Sequence, residues 1–261
     1  MSARAAGAAA CLSLLAGCVS VPTPLAPGAR GSVGGPSYGV LLEASSLPKD
    51  ARAVKLLRPG NKTHFGTKAL VQTLLFAGEA TRGSAVDPPL VVGDMSGPRG
   101  GKLKGHASHR AGRDVDLLFF YTTPSGVPVE APGFVKVGPD GLAEVPGPQR
   151  FVRLDVPRTW ALAKALLTSP HADVEWLFVA EWVEAMLLAH ARAAGESDHV
   201  LYRAANVMHQ PKDSAAHDDH FHLRIACSDD ELMAGCVNGG PDWPWRPAMA
   251  LRDDVATLVA D

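Results

Sequence analysis

The chain has almost no charge imbalance: 25 Lys and Arg stand against 27 Asp and Glu, a formal net charge of −2. A protein that sheathes nucleic-acid phosphates needs a clear surplus of basic residues, so that class is excluded. It also lacks an apolar run of the roughly 20 residues that a membrane-spanning helix requires. No internal repeat recurs at a fixed period, which removes solenoids and propellers. Ser108 and Ser214 lie near histidines, but neither sits in a Gly-x-Ser-x-Gly turn that would expose a nucleophile. Cysteines number only four, too few for a disulfide-built scaffold. What remains is an ordinary globular composition of 261 residues, 46% apolar and 20% charged, enough for one large domain or two small ones.

The first residues read as an export signal. Arg4 supplies a positive start, and Ala8 to Ala16 is a short apolar stretch that fits a signal-peptide core. It ends in Leu15-Ala16-Gly17-Cys18, which resembles a bacterial lipobox, where cleavage precedes the Cys and the Cys carries the lipid. The expected division is therefore a lipoprotein signal over 1–18, with Cys18 as the lipidation site. A plain signal cut near the same place is the alternative. Val19 stands where an Asp would retain a lipoprotein in the inner membrane, so the expected location is the periplasm, anchored to the outer membrane. Residues 19–37, rich in Pro, Gly and Ser, read as a tether, and 38–261 as a single domain. Export places Cys227 and Cys236 in an oxidising compartment, where an isolated pair is a disulfide more often than a metal site.

A helical pattern starts near Phe65, with Leu70, Val71, Leu74 and Leu75 on one face, and stops near Gly83. Leu90–Val92 reads as a buried strand, residues 97–101 as a loop, and Val115–Tyr121 as a strongly apolar strand. Residues 122–148 hold many Pro and Gly and read as an elaborate loop or hairpin. Helices are expected over Trp160–Leu167 and Val183–His190, with strands at Val174–Val179 and Phe221–Ala226. The mixed order points to an α+β fold, a central, mostly antiparallel sheet with flanking helices and long loops.

Five of the ten histidines crowd into two windows, His106 to Asp116 and His217 to His222. In a strand successive side chains alternate faces. His220, His222 and Arg224 therefore share one face, and Phe221, Leu223 and Ile225 take the other. Asp114 and Asp116 likewise share a face opposite Val115 and Leu117. His109 precedes that strand on a Gly-flanked turn that can fold its ring toward Asp116. Imidazoles and a carboxylate are the ligand set of zinc, and a catalytic site takes three of them and leaves a position for water. A histidine left over can then act on the water. His64, His171, His190 and His199 are isolated and read as ordinary residues; His209 stays open. Arg110, Arg113 and Arg224 could clamp a carboxylate, although the default place of an Arg on a strand face is the surface.

At these residues the sequence resembles a known group. His109-x6-Asp116, followed by His220-x-His222, is similar to the lysostaphin-type, D-Ala-D-Ala peptidase and hedgehog-like metal fold. Within it, Gly93 to Gly101, His106-Ala107-Ser108-His109, Gly112 to Asp116 and His217-x-x-His220-x-His222 resemble the penicillin-insensitive murein endopeptidases. The resemblance spans roughly residues 55 to 237. It implies that His109, Asp116 and His222 bind one Zn2+, that His220 and His217 act on the water, and that His106 lies near the metal. Asp114 would orient a ligand histidine. It implies hydrolysis of D-alanyl to meso-diaminopimelyl cross-links in peptidoglycan. Two alternatives stay open: a carboxypeptidase trimming a free D-Ala end, and a module that binds peptidoglycan without cutting it. The N-terminal lipobox and tether, and residues 122–157, depart from the family pattern.

Overall fold

The computed structural model describes residues 28–84, 86–148 and 150–246; Cys18, the signal and residues 19–27 of the expected tether lie outside the described residues. The centre is a six-stranded sheet built, in chain order, from β1 (Val54–Leu56), β2 (Leu90–Val92), β3 (Asp114–Leu118), β4 (Val174–Phe178), β5 (Met208–His209) and β6 (His220–Ile225). The spatial order is β5-β4-β6-β3-β2-β1. The pairs β4–β6, β6–β3 and β3–β2 are antiparallel, and only the outer pairs, β5–β4 and β2–β1, are parallel. The architecture is α+β with a mostly antiparallel sheet, as the element order implied.

Alternation along the central strands makes one face apolar. Val115, Leu117, Phe221, Leu223 and Ile225 are fully buried in one core cluster. Helices α1 (Lys68–Ala80), α2 (Val156–Leu167), α3 (Glu181–Ala193) and α4 (Asp198–Val207) supply the rest of that cluster through Leu70, Leu74, Leu162, Leu166, Val183, Leu187 and Ala204. Side chains set the helix starts: Thr67, Asp155 and Ser197 accept from Leu70, Arg158 and Val200 N–H. A last short helix, α5 (Asp229–Met233), opens with a Ser228–Glu231 capping box. None of the helices among the described residues is long and apolar enough to cross a membrane.

Several expectations need correction. Phe65–Gly66 is a short strand against Ser45–Ser46, and the first helix starts only at Lys68, because Thr67 caps it. The apolar run from Val115 does not continue to Tyr121 as one strand. It leaves the central sheet after Leu118, and Tyr121–Thr122 joins a second sheet with Pro128–Val129, Leu142–Glu144 and Phe151–Leu154. The folded part also begins before residue 38: Gly31–Val33 pairs with Val40–Leu42, and the Ser32 amide donates to Glu231 at 2.8 Å. The glycines there serve left-handed turn positions at Gly31 and Gly34 rather than a loose tether. Helix α4 was not expected, since only Val200, Ala204 and Val207 of its residues are buried and the apolar signal is thin.

Cys227 and Cys236 form a disulfide that ties the chain after β6 to the chain after α5. Beside it lies a buried polar hub. Arg113, fully enclosed, donates to Ser32 Oγ (3.1 Å), Glu175 Oε2 (3.1 Å), the Ile225 carbonyl (2.8 Å) and the Val237 carbonyl (2.8 Å). Glu175 in turn accepts from the Gly239 amide. Arg113 is thus not a surface residue; it joins the N-terminal hairpin, the sheet and the C-terminal segment. Removing one partner strands a buried charge, which costs about 3–5 kcal/mol. Arg113→Met should lower the unfolding free energy by that amount in urea titrations of the full chain. A loss under 1 kcal/mol would show that the hub is not bearing this load.

Candidate metal centre and cleft

The β3–β6 register builds the site. Asp116 sits directly opposite His222, and Asp114 opposite Arg224. On the other side of β6, Phe178 is opposite His222 and Trp176 opposite Arg224. The non-core face of the sheet therefore carries two carboxylates, two imidazoles and a guanidinium in adjacent rows. His109 and His217 reach this face from loops, and both hold left-handed backbone, with φ of 61° and 55°. Such conformations are uncommon for residues other than Gly, although His is among the types that enter them more readily, and they persist where surrounding contacts impose them.

The imidazole tautomers follow from their partners. His109 Nδ1 lies 2.6 Å from the Met95 carbonyl, which can only accept, so that nitrogen carries the hydrogen and Nε2 is bare in the neutral ring. His222 Nε2 donates to Asp114 Oδ1 at 2.9 Å, leaving Nδ1 bare. His220 Nδ1 donates to Asp219 Oδ1, which leaves Nε2 bare in the neutral ring. All three bare nitrogens surround one atom, Asp116 Oδ1: His109 Nε2 at 3.3 Å, His220 Nε2 at 3.4 Å and His222 Nδ1 at 3.6 Å. His109 Nε2 and Asp116 Oδ1 are buried, yet neither makes a hydrogen bond. Two buried acceptors without partners are costly unless something else satisfies them. Two ligands bound at roughly 2.0–2.1 Å to a shared tetrahedral ion stand about 3.3–3.4 Å apart, so the spacing fits a metal. His106 completes a second side: donor atoms of His106, His109 and Asp116 all lie within 4.8 Å of one another, a group able to hold a metal ion.

Burial and charge compete at every group of the cluster: burial opposes a charged His109, but Asp116 and Asp114 overcome it and raise its pKa. Burial opposes ionisation of Asp116, but His109 and His220 hold its carboxyl well below the usual range. Burial likewise opposes ionisation of Asp114, and Arg224 and His222 overcome it and pull its pKa down. The histidines split. Burial disfavours a charged His220, yet the hydrogen bonds and charges of Asp116 and Asp219 win and raise it to about 9. His217 is lowered to about 4 by burial and by repulsion from His220 and His222.

The cluster lies in a cleft of about 900 Å³. Its lining extends beyond the histidines to Phe134 and Arg58, to Trp176 and Gly239, and to exposed loop residues such as Lys212. All the expected site residues, His106, His109, Asp114, Asp116, His217, His220 and His222, come together here. His217 is placed by ring contacts, 5.1 Å from His220 and 5.5 Å from His222 between centroids. Arg224 belongs to the cleft wall rather than the outer surface, and His209 lines one end. Sequence reasoning passed over Asp219, whose only signal was its place beside His220. It also missed Asp94, which takes a contact from His106 Nε2 at 3.3 Å. It further missed the run Gly35-Pro36-Ser37-Tyr38-Gly39. Ser37 lines the cleft but sits in a β-hairpin turn, not the strand–helix elbow that activates a serine.

A pH test follows from His220. Its folded pKa lies above the unfolded value near 6.5, so its stabilising contribution is complete below pH 6.5 and lost as pH rises through about 9. Chelator-treated chain should lose stability across that window, and His220→Gln should remove part of the loss. Urea midpoints measured from pH 6 to 9.5 decide it; identical slopes in both proteins would refute the pairing with Asp116 and Asp219.

Comparison with known proteins gives the chain a family. The family model for penicillin-insensitive murein endopeptidase matches residues 32–241. Proteins of that name are similar along most of the chain. The one from Haemophilus influenzae is 26% identical over 227 residues, covering 85% of this chain and 72% of that protein. The one from Yersinia pestis is 26% identical over 212 residues (81% and 70%). The one from Escherichia coli O1:K1 is 28% identical over 238 residues (86% and 79%). The matched span holds both histidine windows and the whole cleft, and the chain belongs to the penicillin-insensitive murein endopeptidase family.

Proposed function

We propose that this protein is a zinc-dependent endopeptidase that hydrolyses D-alanyl to meso-diaminopimelyl cross-links in peptidoglycan. One observation carries the reading: three imidazoles, each fixed in tautomer by a partner behind it, aim bare nitrogens at a single buried carboxylate oxygen. His109, Asp116 and His222 would hold the ion, with Met95 and Asp114 orienting the two rings from behind. His106, in contact with Asp94, would stand beside the ion. The chemistry that zinc supplies when bound is a water acidified to a pKa of about 7 and a polarised scissile carbonyl.

The remaining groups belong to the chain. His220 is braced by Asp219 in the manner of a histidine oriented by a third group, which suits it to accept a proton and return it to the leaving amine. A neighbouring cation would bring its elevated pKa down toward neutrality. His217, kept neutral by burial and by its neighbours, can donate toward the developing oxyanion without carrying charge. A cleft of about 900 Å³ whose lining extends well beyond the cluster leaves room for an internal cross-link. Export through the N-terminal signal and a lipid on Cys18 would tether the domain in the periplasm, within reach of the sacculus.

Full chain incubated with purified sacculi should convert cross-linked dimers to monomers, read by mass spectrometry of muropeptides. Chelation should stop this and zinc restore it. Sacculi that bind the protein while their muropeptides stay unchanged would favour a non-catalytic binder. Among variants, His109→Ala should lose both metal and activity. His220→Ala should keep its metal and lose roughly 10²–10⁴ in turnover, the usual scale of general acid–base catalysis. Loss of metal in His220→Ala would mean that base and ligand have been exchanged.

A further inference from the structure

Arg224 continues the row of His220 and His222, one side-chain repeat or about 7 Å along β6. Three contacts fix it. Its Nε donates to Asp114 Oδ1 at 2.7 Å, the same oxygen that takes His222 Nε2. Its guanidinium carbon lies 5.6 Å from the centre of the Phe178 ring. Gly239 closes the other side, where even a Cβ would come within 3.4 Å of Nη1. The side chain is nearly nine-tenths buried. Yet among the described residues nothing accepts a hydrogen bond from Nη1 or Nη2, and the residue lines the cleft.

The other cations of the cleft are less suited to hold a ligand. Arg58 is half exposed and spent on Asp94 at 3.1 Å, and Lys212 stands exposed on the rim. Arg224 alone is rigid, stacked and oriented, with two donor groups free. Planar, paired donors of this kind fit a carboxylate. Asp114 offsets its charge from behind without blocking its front.

The reacting substrate carries such a carboxylate, if the proposed function holds. In a D-alanyl to diaminopimelyl link, the carbon bonded to the scissile nitrogen also bears a free carboxylate. That group enters the cleft with the leaving amine, and inside a partly dry cleft it needs charge-assisted donors. We infer that Arg224 binds the carboxylate of the leaving residue and so selects substrates in which it is free. Asp114 then serves two ends, orienting His222 and aiming Arg224.

The inference rests on the peptidase reading, so its test uses both turnover and equilibrium binding. One cross-linked peptide is made in two forms, with the leaving residue's carboxylate free or converted to carboxamide. Reduced-amide versions of both, which cannot be cleaved, serve for calorimetry with the full chain. The wild type should prefer the free acid by roughly 10- to 100-fold, in binding and in kcat/KM, the range of hydrogen bonds to a charged group. Arg224→Gln should abolish the preference, so that acid and amide bind and turn over alike whatever both lose in common through the shared contact with Asp114. A merely structural role would weaken both forms equally. Arg224→Lys, which keeps charge but not the paired donors, should retain only part of the preference and covers the case in which Arg224→Gln fails to fold. Equal binding of acid and amide by the wild type, or a preference that survives in Arg224→Gln, would overturn the inference. Selective binding without cleavage would uphold Arg224 as the carboxylate site and count against the peptidase reading instead.

Discussion

One antiparallel register governs the molecule: Asp114–Leu118 against His220–Ile225. It sets Asp116 opposite His222 and Asp114 opposite Arg224, and with the same stroke turns Val115, Leu117, Phe221, Leu223 and Ile225 into the core. A slip of one residue would exchange the faces, driving charged groups into the helices and aliphatic side chains into the cleft. The core and the site therefore specify each other. Apolar burial on one face thus penalises every slip by an odd number of residues, each of which would take the polar cluster off the other face.

The cluster is costly in the absence of a ligand. Asp116 Oδ1 and His109 Nε2 are buried and unpartnered, and His109 and His217 hold strained backbone. Sites that keep such strain are those in which it pre-arranges groups for a task. Here each ring is braced from behind, by Met95, Asp114 or Asp219, so that its free nitrogen needs no reorientation. The same bracing explains why the histidines divide. His220 has two carboxylates beside it and gains basicity, whereas His217 has two imidazoles beside it and loses basicity.

Much of this was legible before any coordinates, because alternation in a strand is a local rule. His220, His222, Asp114 and Asp116 could be put on their faces from spacing alone, and the two windows named the cluster. The failures share a cause, which is that the deciding contact is distant in sequence. Arg113 reads as a surface residue until Glu175, Val237 and Ser32 close around it. Gly31–Val33 reads as linker because its partners, Val40–Leu42 and Glu231, cannot be seen from its own composition. The break after Leu118 is invisible in an apolar run that serves two sheets. Asp219 was in plain view, but adjacency in a strand ordinarily separates side chains. Its bond to His220 Nδ1 depends on the chain being irregular just before β6 begins.

Distant contacts of this kind also explain why the buried Arg113–Glu175 pair is worth keeping. A buried ion pair seldom adds net stability over apolar residues of the same size. Its hydrogen bonds, however, are directional, and they run to the Val237 carbonyl and the Gly239 amide. That segment is the wall against which Arg224 rests. An aliphatic substitute could fill the volume but would leave Gly239 free to shift along the wall. The cleft needs placement within a few tenths of an ångström, and hydrogen bonds supply that where dispersion contacts do not. The disulfide between Cys227 and Cys236 brackets the same segment from its other end. Both devices act on the position of the wall, and through it on the one guanidinium in the cleft that is held rigidly with its donors free.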